Sequence, residues 1–123
     1  MTIMEALHRI DNLKPNGYSN PEKIKWLSIL DGIIKTEVID RYEGGDAIVF
    51  EGYADDAELT RELLVPAPYD EIYIHWLEAQ IDYINGEFDK YENSNTMYNS
   101  SYTAYANNYN RTHMPLGKKF KFF

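Results

Sequence analysis

The chain of 123 residues contains no cysteine, so disulfides and thiolate metal centres are excluded. No apolar run approaches the ~18 residues that a membrane span requires. The opening, Met1-Thr2-Ile3-Met4-Glu5, has neither the basic start nor the apolar core of a secretion signal, so a chain made in a cytoplasm is expected. Positive charge is scarce. Twelve Lys and Arg stand against 20 Asp and Glu, for a net charge of −8. That balance discourages nonspecific binding to nucleic acid or to anionic membranes. Catalytic motifs are missing too: Gly44-Gly45-Asp46 lacks the Lys-Ser/Thr of a phosphate-binding loop. Neither enzymatic activity nor a cofactor is expected.

What is present is a long apolar seam. Ile74, Leu77, Ile81, Ile84, Phe88, Tyr91, Asn95, Tyr98, Tyr102, Tyr105 and Tyr109 fall in one register of three and four. This is a seven-residue repeat held over about five repeats, with a polar interruption at Asn95. It predicts one helix over 69–110, roughly 40 residues and about 60 Å long. Its first half is widened by Ile72, Tyr73, Trp76 and Ala79 and should be buried. Its second half narrows to tyrosines among Asn, Ser and Thr, which form helices weakly. A compact domain of this length is only about 35 Å across. Either the helix breaks, near Gly86 or at Asn93–Asn95, or its tyrosine half lies against another chain. The second reading makes Tyr91, Tyr98, Tyr102, Tyr105 and Tyr109 a self-assembly interface, a use for which tyrosine is well suited.

Two shorter helices precede it. Thr2 and Glu5 have capping-box spacing, and Ile3, Leu7 and Ile10 share a face, which predicts a helix over 2–13 ending before Pro15. Ser19, Pro21 and Glu22 repeat the start signal. Ile24, Leu27, Leu30 (or Asp31), Ile34 and Val38 then mark one face of a helix over 21–43, closed by Gly44-Gly45. The stretch 44–68 reads as a loop, with a short β-hairpin or helical turn as alternatives around Ala47–Tyr53 and Glu62–Val65. Residues 37–62 hold nine acidic residues against two arginines. Asp46, Asp55, Asp56 and Glu58 are therefore candidates for an acidic face toward a basic partner. Pro66-Ala67-Pro68 is an extended joint, and Asp70-Glu71 suits a helix start. The expected fold is mainly all-α: a small bundle in one domain over 1–110, with a long C-terminal helix and an extended tail over 111–123. The last residues, Lys118, Lys119, Phe120, Lys121, Phe122 and Phe123, alternate charge and aromatic like a half-buried strand.

Glu71, His75 and Glu78 share a helical face and could in principle hold a metal, but His75 beside Tyr73 and Trp76 reads as a packing histidine. The tyrosine stripe lacks the interleaved Lys and Arg of a single-strand binder, with only Lys90 between Tyr69 and Asn110.

Three runs carry a family resemblance: Ser19-x-Pro-Glu-Lys-Ile-Lys-Trp-Leu, Leu64-Val-Pro-Ala-Pro-Tyr-Asp-Glu-Ile-Tyr, and Tyr109-Asn-Arg-Thr-His-Met-Pro. They resemble the head–tail connector (adaptor) proteins of long-tailed bacteriophages and prophages. The resemblance touches most of the chain and is least in the acidic middle. It implies a helical, non-catalytic virion protein whose copies form a ring at the neck. Its partners would be itself, the portal protein and the next neck protein, and residues 118–123 would belong to the tail that docks on the portal. The competing expectation is a non-catalytic phage-encoded module that binds a host protein.

Overall fold

The computed structural model describes residues 1–117. Four α-helices form the bundle: α1 (Ile3–Leu13), α2 (Asn20–Glu37), α3 (Ile72–Ile84) and α4 (Phe88–Thr112). Short 3₁₀ turns lie at Ile39–Arg41 and Gly45–Ala47. The protein is mainly helical with a long C-terminal helix, as the periodicity predicts. Among the described residues no strand forms; only isolated bridges, Thr2 with Glu62 and Tyr42 with Pro115, appear.

The start signals act as the sequence predicts. The Thr2 hydroxyl accepts from the Glu5 N–H and the Glu5 carboxylate from the Thr2 N–H, each at 3.1 Å. The Ser19 hydroxyl accepts from the Glu22 N–H at 3.3 Å, with Pro21 in the first turn. The predicted continuation of α2 to residue 43 is corrected. The α-helix ends at Glu37 and tightens into the 3₁₀ turn. Val38 and Ile39 are both buried, at 3% and 1% exposure. Gly45 then sits where a Cβ would lie 2.3 Å from the Ile39 carbonyl oxygen, so only glycine fits.

The 40-residue rod is also corrected. It breaks at Asn85-Gly86-Glu87 into an antiparallel hairpin, and α3 and α4 make the most extensive helix pair in the molecule. Gly86 takes a left-handed φ of +74°. Its N–H donates to the Tyr83 carbonyl at 3.1 Å, and the Glu87 N–H donates to the Asp82 carbonyl at 2.9 Å. These two bonds are the Schellman pattern that ends a helix on glycine and satisfies its last carbonyls. Across the turn, the Ser94 hydroxyl donates to Asp82 at 2.5 Å, and Lys14 from the end of α1 pairs with the same buried carboxylate.

Helix α3 is the centre of the bundle, packing against each of the other three. Ile72, Tyr73, Leu77 and Ile81 are fully buried against Ile3, Ile10, Leu27, Leu30 and Ile34. The loop 48–65 is tied down along its length. The Tyr53 N–H donates to the Ser28 hydroxyl at 2.9 Å, and residues 59–63 bond along Met1–Met4.

Candidate interaction surfaces

The tyrosine stripe lies inside the chain. Tyr98, Tyr105 and Tyr109 are buried, at 9%, 2% and 8% exposure, and Tyr91 and Tyr102 are half-buried. The rings form a ladder against the rest of the bundle. Tyr98 meets Trp76 at 5.0 Å between centroids, Tyr105 meets Tyr69 at 6.2 Å, and Tyr109 meets Tyr42 at 5.2 Å. His113 stacks flat on Tyr109 at 3.7 Å. The hydroxyls are held as well: Tyr102 donates to Glu37 at 2.8 Å and Tyr42 to Asn110 at 3.0 Å. The expectation that Tyr91, Tyr98, Tyr102, Tyr105 and Tyr109 form a self-assembly interface is therefore corrected for Tyr98, Tyr105 and Tyr109, while Tyr91 and Tyr102 keep part of their surface exposed. The break at Gly86 lets α4 lay this seam on its own bundle. Burial, followed by the charge of Glu37, pushes the Tyr98 phenol up to about 12. Tyr102, Tyr105 and Tyr109 are also raised, burial being the largest cause in each.

The sequence reading passed over a polar knot in the core. Asp31 is fully buried on α2. Its carboxylate accepts from the Tyr53 hydroxyl, from the Tyr73 hydroxyl at 2.6 Å and from the Leu64 N–H at 3.1 Å. The Tyr73 oxygen in turn accepts from the Val65 N–H at 2.7 Å. Burial pushes the Asp31 carboxyl above its ordinary range, against the pull of the two phenols and the amide. The same burial, with the Asp31 charge next, raises Tyr53 and Tyr73. The knot fastens the loop to α2 and α3, and every donor and acceptor in it is used on structure. A sequence signal existed: Asp31 follows Leu27 by four and precedes Ile34 by three, so it sits on the apolar face. A charge there requires buried partners.

The metal reading finds no support in the geometry. Arg9 holds Glu71 with two bonds, at 2.6 and 2.9 Å, and lowers its carboxyl range. The His75 Nδ1 lies 3.6 Å from Glu78. Among the described residues no group of three His, Cys, Asp or Glu could hold a metal ion.

Asp46, Asp55, Asp56 and Glu58 are all exposed, Asp46 on the 3₁₀ turn and the other three in the loop after Tyr53. Lys118, Lys119, Phe120, Lys121, Phe122 and Phe123, the expected portal-docking tail, lie outside the described residues.

The surface that the sequence did not single out is the tip of the α3–α4 hairpin. Tyr83, Ile84 and Phe88 are 59%, 51% and 60% exposed. The Tyr83 ring meets Phe88 at 6.2 Å and Tyr91 at 5.3 Å, so the exposed groups form one aromatic patch. Ile84 and Phe88 belong to the predicted seam, and what hid them as surface was the assumption of an unbroken helix.

Among the described residues no helix is long and apolar enough to cross a membrane. Set against family models, curated proteins and solved structures, the chain matches none.

Proposed function

We propose that this chain is a structural subunit of the head–tail connector class. In this reading it assembles with copies of itself at the phage neck, between portal and tail. Two things support the reading: the resemblance of its three sequence runs to that class, and a small helical bundle that leaves an aromatic patch uncovered. The patch carries it. Tyr83, Ile84 and Phe88 lie together at the α3–α4 turn, where the described residues leave them more than half exposed. Exposed aromatic clusters of this kind mark protein contacts more often than isolated surface residues do. A ring uses head-to-tail contacts between different patches, and a tip that projects from one end suits such a contact.

The test is sedimentation of the full chain over a wide concentration range, alone and with a cognate portal, beside Tyr83→Ser/Phe88→Ser. The wild type should associate or bind portal. The variant should lose both while its melting curve is retained, since exposed substitutions usually change stability by less than about 0.5 kcal/mol. A wild type that stays monomeric and ignores the portal overturns the connector reading. Binding instead to a host protein through the same tip would replace it with the interaction-module reading.

A further inference from the structure

A recess of about 270 Å³ opens at the far end of α4, between the 3₁₀ turn at Ile39–Arg41, the loop and the last turns of the helix. Ile39, Ile48, Leu64 and Pro66 supply its apolar walls, and Tyr105 and Tyr109 its aromatic ones. The walls are held in place. The Leu64 N–H donates to the buried Asp31 carboxylate at 3.1 Å, and His113, at the rim, stacks on Tyr109 at 3.7 Å. The recess is therefore formed before anything enters it, as small-molecule sites mostly are. An apolar cavity of about 150 Å³ takes one benzene ring. This one has room for a ring with a substituent, or for two fused rings.

One polar group on these walls has no use in the fold. Tyr105 is 2% exposed, and its hydroxyl makes no hydrogen bond among the described residues. No fully buried side-chain nitrogen or oxygen of the described residues lacks a partner, so this hydroxyl still reaches open space. The space that Tyr105 borders is the recess. The Asn108 side-chain amide, one turn further along the same lining, is unbonded too. A donor without an acceptor in a largely apolar setting is unfavourable, and an acceptor brought to it relieves that cost. Burial, then Tyr109 and Asp31, raises the Tyr105 phenol, so it stays a protonated donor at neutral pH. The Asp31 charge that contributes to this shift also disfavours an anionic occupant, as does the net charge of −8.

We propose that the recess is a binding site for a neutral aromatic molecule of one or two rings that carries an acceptor oxygen, as an aryl ketone or aryl amide does. The ring lies among the four apolar side chains and against Tyr105 and Tyr109, whose own rings stand 5.8 Å apart at 57° and offer both faces and edges to it. The Tyr105 hydroxyl donates to the ligand oxygen. Ile48, 38% exposed, leaves the way in. The inference rests on the recess alone and does not require the connector reading.

The experiment is amide NMR on the full chain, titrated with acetophenone and, separately, with ethylbenzene, which has nearly the same shape without the carbonyl oxygen. Acetophenone should shift the signals of Ile48, Leu64, Asn108 and His113 saturably, with a Kd of about 1 mM or tighter, and leave Tyr83 and Phe88 unmoved. Ethylbenzene should move the same signals. The second arm is Tyr105→Phe, which keeps the ring and should keep the melting curve. It should weaken acetophenone about three- to tenfold, the usual worth of one neutral hydrogen bond, and leave ethylbenzene within about twofold. No shift, shifts that rise without saturating to about 20 mM, or shifts centred on the hairpin tip overturn the proposal. So does a variant that loses both ligands equally or neither, because the hydroxyl then does not select the ligand class. No portal is present, so failure here and failure of the connector reading are separate results.

Discussion

Raising the pH through the tyrosine range reads the buried stripe directly. The Tyr98 phenol moves from 10.0 to about 12 on folding, because burial disfavours the phenolate. Between those values the unfolded chain has released a proton that the folded chain still holds. The folded state binds more protons there, so stability falls as pH rises. At about 1.4 kcal/mol per unit, Tyr98 alone removes roughly 2 kcal/mol by a pH of about 12, where the folded-state phenol is itself half ionised. Tyr53, Tyr73, Tyr102 and Tyr105 are shifted in the same direction. A domain of this size is stable by about 5–15 kcal/mol, which a few such groups exhaust. The expected result is cooperative alkaline unfolding, with phenolate absorbance and helical circular dichroism changing together. Lysines also lose protons in this range, so Tyr98→Phe is the control. Among the described residues no side chain bonds the Tyr98 hydroxyl, and phenylalanine preserves the ring contact with Trp76 at 5.0 Å. The variant should match the wild type within about 0.5 kcal/mol near neutrality and exceed it by about 2–3 kcal/mol at a pH of about 12. Equal alkaline midpoints, or phenolate absorbance that rises while helicity persists, would show that these rings are not core.

Two further substitutions test the interior. Tyr98→Ser/Tyr102→Ser/Tyr105→Ser should abolish helical circular dichroism, since removal of each buried aromatic costs about 3–5 kcal/mol; a folded triple variant that merely fails to assemble would restore the stripe as an interface. Asp31→Ala strands the Tyr53 and Tyr73 hydroxyls and the Leu64 N–H. At about 1–3 kcal/mol per orphaned group, partly relieved where the loop reaches water, a loss of about 3–5 kcal/mol in denaturant unfolding is expected, and a loss under about 1 kcal/mol would mean that these donors find other acceptors.

The helix starts were legible because their chemistry is local. Thr2 with Glu5, and Ser19 with Glu22, satisfy backbone groups three residues away, and no tertiary information is needed to see it. Apolar registers gave the core faces for the same reason: Ile3, Leu7, Ile10, Ile24, Leu27 and Ile34 are all buried. The end of α2 was not legible. It goes with Gly45 passing against the Ile39 carbonyl, a close backbone approach that no helical periodicity marks. Gly86 is a possible break by residue type, yet the apolar register runs through it without interruption. Pattern alone therefore favoured continuity over a turn that needs a left-handed residue and two specific bonds. The loop was unreadable because its order comes from Asp31, Ser28 and the N-terminal segment, all distant in sequence.

A period of seven says that one face of a helix is covered; it does not say by what. Cover from a second copy costs about 4–15 kcal/mol in lost freedom before any ring is buried. Cover from the same chain needs only a turn, and closure of a short loop costs little, growing by about 0.6 kcal/mol per doubling of length. Here the turn is supplied at Asn85-Gly86-Glu87, and Asp82, held by Ser94 and Lys14, fastens it. The intramolecular cover therefore wins for Tyr98, Tyr105 and Tyr109. It serves the seam residues beside the turn less well, because the two helices part there and the described residues cover them only in part. Ile84 and Phe88 remain exposed for that reason, with Tyr83 beside them. The position of the break thus decides which part of the seam becomes core and which stays exposed, and under the proposed connector reading it moves the candidate interface from the tyrosine stripe to the hairpin tip.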